Sequence, residues 1–94
     1  MDKFKKYLVF DEAPEGYIRR VYKFPNDYGA RVTNYGEGTD IAVVKFDGDI
    51  WIVDMTTPVA SDILINVKDK DIEGVFEQIR SLKNGTRKKF WKSY

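Results

Sequence analysis

The chain of 94 residues contains no cysteine and no histidine. That excludes a disulfide framework, a zinc finger, haem ligation through imidazole or thiolate, a cysteine nucleophile and any Ser-His pair. There is no large excess of either charge. Lys+Arg is 16 and Asp+Glu is 15, a formal net charge of +1, which argues against a histone-like binder held by overall charge. No apolar run approaches the roughly 20 residues of a membrane helix. The basic start of residues 1–10 leads only to a short apolar run at residues 7–10. A signal peptide needs an apolar stretch of roughly 7–15 residues, so the expected location is the cytoplasm. Asn84-Gly85-Thr86 matches a glycosylation acceptor but reads, in that setting, as a helix stop.

Phosphate-binding signatures are missing too. Gly36-Glu37-Gly38 precedes a strand rather than a helix, so it does not present a helix N-terminus to a phosphate. Ser61, Ser81 and Ser93 have no histidine to activate them. Asp47 and Asp49 flank Gly48 like half a calcium loop, without the later ligands or the closing Glu. They read as turn residues. No catalytic residue, metal ligand or cofactor is expected, and the chain reads as a non-enzyme.

What is present is a small ordered domain. Hydrophobic residues make up 43% and charged residues 33%, which suits one domain over residues 1–94 with a modest core. Charge is uneven along it. Residues 1–10 carry a net +2 and residues 84–94 a net +4, leaving −5 on residues 11–83. An acidic body thus carries two basic–aromatic ends, residues 1–10 and 86–94.

The body reads as hairpins. Residues 17–24 (YIRRVYKF) are rich in β-formers, with Ile18, Tyr22 and Phe24 on one face. In Pro25-Asn26-Asp27-Tyr28-Gly29, proline sets φ, Asn and Asp favour the turn and glycine accepts positive φ. Residues 30–34 return, and residues 35–39 form a loop. Residues 40–46 and 49–55 flank Asp47-Gly48, a strong hairpin signal. Both runs are apolar on both faces, the pattern of strands in the middle of a covered sheet. Residues 59–67 read as a helical turn, a strand, or one after the other. Residues 1–10 read as a helix or an edge strand.

One helix is clear. Ile72, Val75, Phe76, Ile79 and Leu82 form an apolar stripe through residues 69–82. Asp69, Asp71 and Glu73 suit its positive end, Lys83 its last turn and Gly85 its C-cap. Gly74 inside it suggests a close approach to the sheet. Together these elements predict an α+β fold, a mainly antiparallel sheet of four or five strands with this C-terminal helix on one face.

A single helix covers only one side of such a sheet. Ile41, Val43, Ile50 and Ile52 point one way, and Ala42, Val44, Phe46, Trp51 and Val53 the other. The second side needs the termini (Phe4, Tyr7, Leu8, Phe90, Trp91), a second copy, or a partner. A homodimer is one expected solution. The aromatics number 14, a large share for this length, and exposed Tyr and Trp are enriched at protein interfaces.

The run from Tyr22 to Ala30 (YKFPNDYGA) resembles a family of small tailed-bacteriophage proteins with a Tyr-x-Phe/Tyr-Pro-Asn-x-Tyr-Gly-Ala element. Tyr35-Gly36, Ala42-Val43, Thr57-Pro58-Val59, Asp62-Ile63-Leu64 and the helix of residues 69–82 continue the likeness across residues 20–83. The threonine before that family's helix stands here as Lys68. The resemblance implies a phage accessory protein in the bacterial cytoplasm, and by analogy one that binds and blocks a host protein, for example a defence nuclease.

Two binding surfaces are therefore expected. For a host protein, the candidates are Tyr28, Tyr35 and Trp51 with the helix-start acids Asp69, Asp71 and Glu73. Nine acids between residues 40 and 77 would suit a basic groove if several shared one surface. The alternative is nucleic acid held by Arg87, Lys88, Lys89, Phe90, Trp91 and Lys92, cations meeting phosphates while rings stack on bases. Neither a membrane nor a small molecule is an expected partner.

Overall fold

The computed structural model describes residues 2–36 and 38–83. A 3₁₀ helix at Asp2–Tyr7 leads into strands β1 (Leu8–Glu12), β2 (Ile18–Lys23), β3 (Tyr28–Asn34), β4 (Thr39–Asp47), β5 (Ile50–Val53) and β6 (Leu64–Val67). Helix α1 (Asp69–Arg80) follows. The fold is α+β, as expected. The sheet runs β1-β2-β3-β4-β5, with β6 also paired to β4 and every pairing antiparallel. Strand β6 takes the sheet to six strands, one beyond the expected range. Residues 1–10 resolve into both expected alternatives in succession, since the 3₁₀ helix runs directly into edge strand β1.

Strand β4 is the centre. Its first half pairs with β6 (Thr39↔Val67, Ile41↔Leu64) and its second half with β5 (Val44↔Val53, Phe46↔Trp51). Ile41, Ala42, Val43, Val44 and Phe46 are all buried. Such burial on both faces is what an apolar run without alternation implies. Asn66, with φ +56, supplies the extra residue that lets β6 keep register with β4.

The principal core lies between the sheet and α1. Phe76 makes edge-on ring contacts with Phe4 at 5.1 Å, Tyr22 at 4.9 Å and Phe24 at 5.8 Å, with Ile72 and Ile79 on either side of it along the helix. Offset and edge-on ring pairs add about 0.5–1.5 kcal/mol each beyond area burial. Phe4, Tyr7 and Leu8 join this core. The N-terminus therefore covers the helix side of the sheet, not the second side.

That second side holds a smaller core of its own. Val21, Val44 and Phe46 are buried there, with Trp51 and Val53 packed over them. The Lys23 ammonium lies 5.3 Å from the Phe46 ring, and the Arg31 guanidinium 6.0 Å from that of Trp51. Large side chains of the sheet itself thus shield the face for which a terminus, a second copy or a partner was expected.

Turn chemistry corrects three glycine readings. Between β2 and β3, the amide of Asp27 donates to the Phe24 carbonyl at 3.1 Å, and Asp27, not a glycine, takes positive φ at 69°. Gly29 is needed for another reason, since a Cβ there would overlap the Tyr22 carbonyl oxygen and the Phe46 ring. In the β4–β5 hairpin Asp47 pairs with Ile50, so the two-residue loop is Gly48-Asp49, with positive φ at Gly48. That is the arrangement of a type II′ turn. Gly74 faces open space, not the sheet.

Candidate partner-binding site

Strand β5 is an edge strand, not the central one its sequence suggested. Its register with β4 (Lys45↔Ile52, Asp47↔Ile50) puts Ile50 and Ile52 on the helix side of the sheet. Helix α1 packs over β3, two strands away, and leaves both in water, Ile50 71% and Ile52 64% exposed. Met55 beyond them is also exposed. By alternation Asp47 and Asp54 stand on the same side, bracketing the two isoleucines, while Asp49 lies in the turn.

The shelf has a defined back wall. Tyr28, Lys45 and Ile52 lie side by side across β3, β4 and β5. Burial, and then the carboxylate of Asp54, raise the Tyr28 hydroxyl above its ordinary pKa. Asp54 is fixed by bonds from the Thr56 amide at 2.9 Å and the Thr56 hydroxyl at 2.5 Å. The segment that follows bends under the helix, and between Pro58, Val59, Gln78, Ser81 and Leu82 lies an open, mostly apolar groove of about 420 Å³.

Asn26 holds the helix end against this part of the sheet. Its side-chain amide donates to the carbonyls of Ile79 at 2.9 Å, Arg80 at 3.1 Å and Leu82 at 2.9 Å, while its oxygen accepts from the Tyr28 amide at 3.1 Å. It satisfies carbonyls that a helix end leaves unpaired.

At the other end of the sheet, Asn34, Thr39, Asn66, Lys68 and Asp69 line a polar recess of about 470 Å³. Within it Asn34 donates to the Thr39 hydroxyl at 2.9 Å and its side-chain oxygen accepts from the Gly36 amide at 2.8 Å. Lys68 is the N-cap residue of α1 and makes no side-chain cap bond.

The six residues expected to bind a host protein do not share a surface. Tyr28 is half-buried at the shelf, and Trp51 lies beside it in sequence register but on the second side of the sheet. Tyr35, 58% exposed against Tyr17, is at the far end of β3, and Asp69, Asp71 and Glu73 are exposed in the first turns of α1. The acids of residues 40–77 are likewise scattered: Asp47, Asp49 and Asp54 at the hairpin end, Asp40 at the start of β4, Asp62 before β6, Asp69, Asp71 and Glu73 at the start of α1 and Glu77 further along it. Arg87, Lys88, Lys89, Phe90, Trp91 and Lys92 lie outside the described residues. Sequence reasoning missed Ile50 and Ile52 as exposed residues, because alternation does not tell an edge strand from a central one. No helix among the described residues is long and apolar enough to cross a membrane. Among family models, curated proteins and solved structures, nothing matches this chain.

Proposed function

We propose that this chain is a small non-catalytic accessory protein of a tailed phage, acting in the host cytoplasm by stoichiometric binding of a host protein that it inhibits or redirects. The observation that carries the binding is the β5 shelf, two isoleucines in water bracketed by Asp47 and Asp54. At about 25 cal/mol per Å² of apolar area, covering them favours association, and their acidic rim selects a partner whose apolar patch is edged by Lys or Arg. A nuclease, whose surface is basic where nucleic acid binds, has that chemistry. The phage context rests on the likeness of residues 22–30, and Asn26 and Gly29 of that run fix the hairpin that backs the shelf.

The test is capture from a bacterial lysate with the parent chain and with Ile52→Lys, followed by binding of the purified host protein. A one-to-one complex that Ile52→Lys weakens at least about tenfold supports the reading, roughly the loss of one well-packed contact of about 1.4 kcal/mol. Equal binding by both chains refutes it. The second reading, nucleic acid held by the basic–aromatic ends, is favoured by Lys5 and Lys6, both exposed on the N-terminal 3₁₀ helix. Titration with single- and double-stranded DNA and RNA at two salt concentrations separates the two, because phosphate contacts weaken steeply with salt.

A further inference from the structure

The apolar stripe of α1 stops one turn short of the helix start. Ile72 is its first member, and the positions three and four residues before it hold Asp69 and Lys68. The sheet beneath runs on. On the helix side, Ile18, Asn34 and Thr39 lie side by side across β2, β3 and β4, with Arg20 and Val32 in the next row and Tyr22 beyond Arg20 on β2. Between these residues and the first turn of α1, at Asp69 and Ile72, lies a cleft of about 180 Å³. That is room for about six waters at ~30 Å³ each. The cleft shares Asn34, Thr39 and Asp69 with the polar recess of about 470 Å³, so the two adjoin.

Its polar groups are incompletely used. Tyr22 is 7% exposed and its ring packs on Phe76 at 4.9 Å, yet among the described residues its hydroxyl bonds to nothing. A buried tyrosine usually has a partner for that group. Burial raises its pKa against the opposing pull of Arg20, so it keeps its proton and can both donate and accept. Thr39 is also buried, and its hydroxyl accepts from Asn34 with a proton of its own still to give. Arg20 donates its Nε–H to Asp11 at 3.2 Å and has further N–H groups on the same guanidinium. Asp69 has no ion-pair partner among the described residues. Ile18, Val32 and Ile72 supply apolar walls.

A flat ring with C=O and N–H groups on its edge meets all of these. Its faces lie against the apolar walls, its carbonyl takes protons from Tyr22 and Arg20, and its N–H reaches Asp69. The volume suits one ring rather than a fused pair, and Asp69 and Asp71 at the start of α1 oppose an anion there. The adjoining recess, with Asn34, Asn66 and Lys68, suits the hydroxyls of a sugar. We propose that this cleft binds a pyrimidine nucleoside, with the base between Tyr22, Arg20 and Asp69 and the sugar in the recess. The site lies at the opposite end of the sheet from the β5 shelf and does not depend on how that shelf is read.

In the test, uridine and cytidine are titrated to about 10 mM into the full isotope-enriched chain, and amide signals are followed. The expected result with at least one of them is saturable shifts at Ile18, Arg20, Val32, Asn34 and Ile72, none at Ile50–Val53, and a Kd at or below about 1 mM. Tyr22→Phe removes the hydroxyl and keeps the ring in the core. It should melt no lower than the parent, since the group it loses is unpaired, and bind at least about fivefold more weakly, the worth of one hydrogen bond. A lower melting temperature for Tyr22→Phe overturns the proposal, because the hydroxyl would then have a partner within the protein. So does equal affinity in the parent and Tyr22→Phe. Shifts that are absent with both nucleosides, or centred on Lys5 and Lys6 or on the β5 edge, overturn it as well. Ribose alone or adenosine binding as tightly would equally overturn it, since neither presents a single-ring base.

Discussion

Asn26 shows how much one side chain can organise. Its carboxamide closes the β2–β3 turn on one side and binds three helix-end carbonyls on the other, across more than fifty residues of sequence. Asn26→Ala leaves those part-buried carbonyls without their donor. The expected loss is about 1–3 kcal/mol in urea unfolding, the cost of stranding buried polar groups. Asn26→Asp should lose as much, since a carboxylate keeps the turn acceptor but supplies no donor. Gly29→Ala acts by steric exclusion. Its Cβ would meet the Tyr22 carbonyl and the Phe46 ring, and because the first is backbone, the strand must move. Overpacking of this kind costs about 1–3 kcal/mol. An alanine variant as stable as the parent would show that the hairpin relaxes freely there.

At the level of elements, legibility followed periodicity. The 3.6-residue stripe of α1 names its buried side, and Ile72, Phe76 and Ile79 are buried as that stripe requires. The two-sided apolar run of β4 places it at the centre. The same argument misled for β5, because residue pattern reports what a strand can bury and not whether a neighbour arrives. Here β6 takes the other half of the β4 edge, and α1 sits too far away. Of the shelf, only Tyr28 was among the expected partner residues; the expected acids Asp69, Asp71 and Glu73 lie in the first turns of α1, Asp47 read as a turn residue, and the exposure of Ile50 and Ile52 depended on topology. The end of α1 was similarly hidden, since the stop signal was sought at Gly85 and the capping group is Asn26.

Two predictions belong to α1. Gly74 has open space around it, so Gly74→Ala should stabilise the chain by about 0.5–1 kcal/mol through helix propensity alone. The second concerns the contact of α1 with the N-terminal 3₁₀ helix. Glu77 reaches Lys3 at 3.0 Å and Arg80 at 2.9 Å, and bonding first to Lys3 and then to Arg80 holds its carboxyl below the ordinary value of 4.5. A carboxyl depressed by folding contributes stability above its unfolded pKa and loses it as pH falls through the folded one. The difference in melting temperature between the parent and Glu77→Gln should therefore be greatest above about pH 5 and vanish in stronger acid. A difference that stays constant down to acid pH would mean that the ion pairs contribute nothing.

Across the whole molecule, the decisive question is what covers the second side of the sheet. A second copy was one expected answer, on the argument that one helix shields one face. The single chain already buries Val21, Ala42, Val44 and Phe46 on that face, with Trp51 and Val53 packed against this cluster, the Lys23 ammonium near the Phe46 ring and the Arg31 guanidinium near that of Trp51. Among the described residues, the apolar surface left in water includes Val9 and Phe10 on β1, Ile50 and Ile52 on β5 with Met55 beyond it, and Ile65 on β6. Edge strands are where chains pair, and acids beside them oppose pairing with like-charged copies. The expected species at micromolar concentration is a monomer of 11.0 kDa in sedimentation equilibrium, with a melting temperature independent of protein concentration. Phe46→Ala should lower stability by about 3–5 kcal/mol, because it empties a closed core. Ile50→Lys and Ile52→Lys should change it by less than about 0.5 kcal/mol, because those side chains are already in water. A dimer that dissociates when Ile52 is replaced by lysine would instead make the β5 edge a self-association site. In that case the partner the shelf selects would be this chain itself.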